Sequence, residues 1–379
     1  MKTFYDYIIA GAGCSGLSLL LRILQQPQLK HKSILLIDKT PKNENDRTWC
    51  FWENKPGFFE PIVHHHWNYL NFYSTSVERT TPISPYSYKM IRGIDFYEYC
   101  FKEIAKHNNV TIEYRDISSI GNEDNKAYVE FDNTKIYCDH LFNSILFEDV
   151  KAEKGNFLLL QHFKGWKIKT QKSCFDPDNA TLMDFRTDQK NGTAFFYVMP
   201  VSATEALVEY TLFTESLLQQ EEYNEQLKLY ITSQLNINEY AIEHSEFGII
   251  PMTNKKFSST GNIINIGTAG GRVKPSSGYA FQFIQKHSDE LVKRLVFNEL
   301  PNADLSSKKY HFYDSVFLNV LTHHPQKGAE IFSRIFASNK PETIFRFLDN
   351  ESSMAEDLKI ITSLTSFSFI KAGLQEVLK

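Results

Sequence analysis

No stretch of this sequence stays apolar over the roughly 18 residues that a membrane-spanning helix requires, so contact with a bilayer is expected to be peripheral. There is no block of Lys or Arg either, and a net charge of −4 over 379 residues argues against the electrostatic footprint of a nucleic-acid binder. Cysteine is scarce. Cys14, Cys50, Cys100, Cys138 and Cys174 are odd in number, scattered and without metal-site spacing, which points away from a disulfide framework or structural zinc and toward a reducing compartment. Internal repeats and low-complexity linkers are missing. No signal-peptide pattern precedes the first apolar run at about Tyr5, so the expected compartment is the cytoplasm.

What the chain has in excess is rings: Phe 30 and Tyr 19 lift the aromatic share to 14%, which fits a large apolar ligand site and equally a ring-rich core. Its most specific local pattern is "DYIIAGAGCSGLSLLLRILQQ", from Asp6 to Gln26. An apolar run reads as a buried parallel strand, Gly11, Gly13 and Gly16 follow, and Leu17, Leu20, Leu21 and Leu24 recur at helical spacing up to Pro27. The next strand, "SILLID", ends on Asp38 about 22 residues beyond Gly16, where a dinucleotide fold places the acid for the adenosine ribose. Gly11 allows the turn, Gly13 lets the backbone approach a pyrophosphate, and Gly16 permits close helix packing. Cys14 inside this turn lacks a visible activating partner and reads as a filler.

Residues from Asn43 to Pro85 read as irregular and aromatic, and the triplet His64, His65 and His66 cannot all face one ion from a strand, so no metal is expected. A helix from about Asp95 and strand-like runs "VTIEYRDI" and "KAYVEFDN" follow, then "HLFNSIL" returns toward the main sheet. Several β-rich runs occupy about 158–211, and "GNIINIGTAGGRVKPSSGYAFQF" brings another strand, a second glycine turn and a helix. The expected fold is α/β: a Rossmann-like dinucleotide-binding domain over 1–150, resumed over 248–313. A β-sheet substrate domain fills 151–247 and a helical C-terminal region 314–379.

Two carboxylates stand out. Glu209 interrupts the apolar run "ALVEYTLF"; buried it would stay protonated near neutral pH, although alternation could instead turn it to solvent with Glu205. Asp184 in "LMDFRTDQ" poses the same question, with Arg186 two residues on as a plain ion-pair partner.

The second glycine stretch resembles the late turn by which flavoproteins of the hydroxylase and reductase type approach FAD, with Thr268 where many carry Asp. Taken in order, "DRTWCFW", "MDFR" with Gln189, "FFYVMPVSATEALVEYT" and "GTAGGRVKPSSGY" resemble the lycopene cyclases that make β-rings, over nearly the whole chain. The resemblance implies cyclisation of the linear ends of lycopene and related acyclic carotenoids without net redox change. It also implies reduced FAD as cofactor and NAD(P)H as its reductant. The family's acidic pair falls on Glu209 and Tyr210, so the catalytic acid carries over to Glu209 alone. The implied cofactor contacts are Gly11, Gly13, Gly16, Asp38, Arg47, Gly267, Thr268, Gly270 and Gly271. Asp184, Tyr197, Tyr210 and Tyr279 are expected in the substrate pocket, with ring faces from Phe195, Phe196 or Tyr197 beside the developing cation. A lipid-dissolved substrate further implies peripheral attachment at the inner membrane face, with the segment from Phe332 to Phe347 as its candidate and packing of that segment against the body as the equal alternative. The alternatives are a flavin-dependent reductase or monooxygenase acting on an isoprenoid or aromatic substrate, and a non-catalytic carotenoid or nucleotide binder.

Overall fold

The computed structural model describes residues 2–302, 307–364 and 367–378. The apolar opening run forms the strand Phe4–Ala10, which lies between Ile34–Asp38 and Thr134–Asn143, parallel to both; Val110–Tyr114 extends the sheet beyond Ile34–Asp38. Ile8, Ile9 and Ala10 are fully buried, as a strand covered on both faces requires. Ile263–Asn265 returns from far along the chain to pair in parallel with the end of Thr134–Asn143. The helix Cys14–Leu24 packs on Phe281–Val296, so both glycine turns reach one edge of this sheet. A Cβ on Gly16 would stand 2.0 Å from the Gly11 carbonyl oxygen, so this close approach needs glycine.

A second seven-stranded sheet runs in the order Ala241–Thr253, Leu158–Lys169, Glu205–Thr214, Thr193–Pro200, Asn179–Asp184, Tyr69–Tyr73, Glu78–Pro82. All neighbours are antiparallel except Asn179–Asp184 and Tyr69–Tyr73. Both faces are covered. On one, Phe195, Tyr197, Met199, Leu207 and Phe213 join a core with the C-terminal helices. On the other, Phe196, Val198, Val208, Tyr210 and Leu212 pack on the helix Gln220–Ser233.

The stretch from Asn43 to Pro85 is not irregular. It supplies Thr48–Glu53 and His65–Trp67, which flank Ser87–Arg92 in a three-stranded sheet, and two strands of the second sheet. Short strands explain the difference: Glu78–Pro82 is a half-exposed polar edge with no apolar alternation to read. Two strands of the second sheet thus come from within 1–150, and Ala241–Thr253 runs across the expected boundary at 247. Phe332, Ile335, Phe336, Ile344 and Phe345 are buried in the core, which corrects the expectation that this segment offers a membrane patch. Exposed apolar side chains lie instead on the last two helices, at Leu358, Ile361, Ile370 and Leu374.

The "GGRVKPSSGY" stretch is clasped to the C-terminal region by ions. Lys274, 1% exposed, donates to Asp314 Oδ1 at 2.8 Å and to Asn350 Oδ1 at 2.8 Å, while Ser276 donates to the same Asp314 oxygen at 2.6 Å. Removing one member strands a buried charge, so Asp314→Ala is expected to destabilise the protein by about 3–5 kcal/mol. Lys274→Met with Asp314→Leu should recover most of that loss; urea denaturation of the two variants measures both.

Candidate functional site

A cavity of about 340 Å³ opens where the two sheets meet. Gly13, Cys14, Ser15, Ser144, Gly267 and Thr268 line one end; Cys50, Tyr88, Tyr197, Met199, Leu207, Glu209 and Tyr279 line the other. Arg47, Thr48 and Trp49 border it between these ends. The cavity therefore joins the first glycine turn to a carboxyl group nearly two hundred residues downstream.

At the first end, Gly13 caps the helix Cys14–Leu24 with no side-chain hydrogen bond and no acid in the first turn. Nothing lies within 4 Å of where a Gly13 side chain would begin, so the positive end of the helix faces open space. Such an end can cradle a phosphate. Asp38 Oδ2 accepts the Ala12 N–H at 2.6 Å, and Oδ1 pairs with Lys42 at 3.1 Å. Gly11 and Gly16 shape the turn from behind. Gly270 packs on Asn265 and Gly271 on Phe257, so neither borders the cavity. Burial pushes the Cys14 thiol up to about 12, leaving it inert.

At the other end, parity decides which side chains meet. Along Glu205–Thr214, Leu207, Glu209, Thr211 and Phe213 share the face turned to the cavity and the C-terminal core. Tyr210 faces the opposite side, where its ring stacks on Phe196, centroids 4.8 Å apart. The expectation that Tyr210 and Phe196 border the substrate is thus corrected: one residue along a strand reverses the face. Asp184 is corrected likewise. It is fully buried away from the cavity, held by Arg186 at 2.7 Å and by the Tyr230 hydroxyl at 2.7 Å. Tyr197 and Tyr279 do line the cavity, their hydroxyls 3.4 Å apart.

Glu209 is 8% exposed and its Oε1 accepts the Thr211 hydroxyl at 2.8 Å. Burial, reinforced by the negative charge of Glu246, pushes its carboxyl up to about 8. Glu246 is 6% exposed and is pushed up to about 7, again chiefly by burial, while the Thr48 hydroxyl on Oε2 and the charge of Arg47 pull the other way. Both acids therefore retain protons well above the ordinary carboxylate range. Glu246 escapes sequence reasoning because its strand begins exposed and polar, "AIEHSEF", like a solvated edge. Only the strand pairing brings it inside.

The sequence profile of the lycopene cyclase protein family matches residues 6–373. A lycopene beta-cyclase of Pantoea ananas is 24% identical over 77% of this chain and 75% of its own length. Among solved structures, the flavin-dependent brominase Bmp2 aligns with a TM-score of 0.64 at 12% identity, covering 95% of this chain and 98% of the brominase. A geranylgeranyl bacteriochlorophyll reductase-like protein of Thermoplasma acidophilum aligns with a TM-score of 0.59 at 12% identity, covering 99% and 97%. At such identities these structures establish the fold alone, an α/β architecture with a helical C-terminal region that this chain shares with the flavin-dependent brominase.

The raised carboxyls tie stability to pH. A group that holds its proton more tightly folded than unfolded contributes stability that is complete below about 4.5 and is lost as pH rises through about 8. The melting temperature is expected to fall across that window, and to fall less in the Glu209→Gln, Glu246→Gln double variant; thermal scans at a series of pH values check the difference.

Proposed function

Because the chain belongs to the lycopene cyclase protein family, we propose that it closes the linear ends of lycopene into β-ionone rings without net redox change, with Glu209 as the proton donor. The observation that carries this reading is the carboxyl of Glu209, kept neutral by burial, in a cavity continuous with the phosphate cradle.

An alkene is a very weak base. Protonating one requires an acid that is still un-ionised at working pH and surroundings that do not quench the cation that forms. Glu209 meets the first condition, and the cavity supports the second with ring-bearing walls. Tyr197 and Tyr279 sit beside the acid, and a ring face contributes about 0.5–2 kcal/mol to a neighbouring cation. Attack by the neighbouring double bond then closes a six-membered ring, and loss of a ring proton restores neutrality. One proton enters and one leaves.

The cavity lining supports FAD as cofactor: the backbone at Gly13, Cys14 and Ser15 would hold its pyrophosphate and Gly267 and Thr268 the flavin end of the chain, while Asp38, at the end of Ile34–Asp38, is the acid for the adenosine ribose. Bound there and reduced by NAD(P)H, the flavin would supply negative charge to offset the developing cation. Substrate dissolved in lipid calls for contact with the inner membrane face. No helix among the described residues is long and apolar enough to cross a membrane, and the exposed Leu358, Ile370 and Leu374 suit a peripheral contact.

Glu209→Gln is expected to lower ring formation by about 10²–10⁴-fold, the usual contribution of a positioned general acid, while flavin absorbance stays bound to the protein. Normal turnover by this variant with chemically reduced flavin would remove Glu209 from the role. In flotation with anionic liposomes, the protein should rise with the vesicles and a Leu358→Ser, Ile370→Ser, Leu374→Ser variant should stay below; equal flotation would place the membrane contact elsewhere.

A further inference from the structure

The second sheet pairs Glu209 with Gly165, and Gly165 in turn with Glu246, so three adjacent strands carry Glu, Gly and Glu in one row. Residues in register on neighbouring antiparallel strands share a face. The middle position has no side chain, and the space is used: a Cβ on Gly165 would lie 3.1 Å from Glu246 Cγ, 3.4 Å from its Oε1 and 3.0 Å from Leu207 Cδ1. The Glu246 side chain leans over the glycine toward the strand that carries Glu209. Both are buried, and among the described residues no Lys or Arg makes an ion pair with either. Two acids have been placed together where a structural role would call for a cation.

Their surroundings differ in a way that assigns roles. Glu246 accepts the Thr48 hydroxyl on Oε2 at 2.8 Å and feels the positive charge of Arg47, opposed by Asp46. Among the described residues, Glu209 has only the Thr211 hydroxyl. The remaining titratable groups around Glu209, namely Cys50, Tyr88, Tyr197 and Tyr279, all hold their protons more tightly than usual and stay neutral. Two carboxylates sharing a dry site do not both ionise readily, so the better-supported one ionises first.

We propose that Glu246 is a positioning residue for the catalytic proton: it takes the negative charge of the pair, stabilised by Thr48 and Arg47, and thereby holds Glu209 in the protonated form that the reaction consumes. The inference rests on the proposed role of Glu209 as acid. It also assigns this chain a second carboxylate, supplied by a distant strand, although Tyr210 follows Glu209 in sequence and points away.

The test is the pH dependence of turnover in the FAD-loaded protein, comparing wild type with Glu246→Gln and Glu246→Asp. A general acid fails as pH rises through its pKa, so loss of the neighbouring negative charge should bring that failure to lower pH. For Glu246→Gln, the ratio of the rate at pH 8 to the rate at pH 6 is expected to drop at least about threefold below the wild-type ratio, and Glu246→Asp should restore it. An equal loss at both pH values, or an unchanged ratio, would overturn the proposal. Infrared difference titration of the protonated carboxyl band gives a readout that needs no substrate. The Glu209 band, identified by its loss in Glu209→Gln, should deprotonate at lower pH in Glu246→Gln, and an unshifted titration would overturn the proposal. If lycopene is not cyclised at all, the infrared result still decides the coupling, so failure of the functional reading and failure of this one are separable.

Discussion

A carboxyl group buried among rings and beside a second carboxyl group is the constraint on which the rest of this site depends. Water would ionise Glu209 near the ordinary carboxylate pKa, and an adjacent Lys or Arg would do so more strongly. The fold removes both influences. Glu205–Thr214 lies within the second sheet, covered on one face by the C-terminal helices and on the other by Gln220–Ser233, so no side chain between Ala206 and Thr214 is solvated freely. The C-terminal helices contribute by exclusion of water, and the Lys274–Asp314 clasp fixes them against the second glycine turn.

The same arrangement explains why a nucleotide fold carries the acid. Two parallel strands and their returning partner deliver both glycine turns to one end of the cavity, and the antiparallel sheet delivers Glu209 to the other. A cofactor anchored at the helix N-terminus would extend toward the acid. Charge placed there suits a reaction in which a cation appears and disappears without an electron changing hands. The fold therefore does not itself imply oxidation; in the proposed reaction the groups at the far end decide the chemistry.

Much of this was legible in the sequence because its signals are local. The strand, glycine turn and helix at the start follow from spacing over about twenty residues, and Glu209 stands out as one acid in an apolar run. Features set by pairing were not legible. The resemblance implies Tyr210, at the position of the family's second acid, as a pocket residue, yet strand parity turns it into the opposite core. Nothing local in the sequence singles out Glu246, and only its register with Gly165 brings it beside Glu209. Arg186 already offered Asp184 a partner two residues away, and the structure uses it. The rings from Phe332 to Phe345 fit a membrane patch or a core equally well until the second sheet is in place to bury them.

The central claim, that an exchangeable carboxyl proton is added to the substrate and a different one is lost, is tested most directly by isotope. After the protein has fully exchanged in D₂O, a single turnover of lycopene with reduced FAD should give a product in which each new ring carries one deuterium and the sum of hydrogen isotopes is unchanged. A ring without deuterium, or a product that has gained two hydrogens in total, would contradict proton-initiated cyclisation and return the protein to redox chemistry.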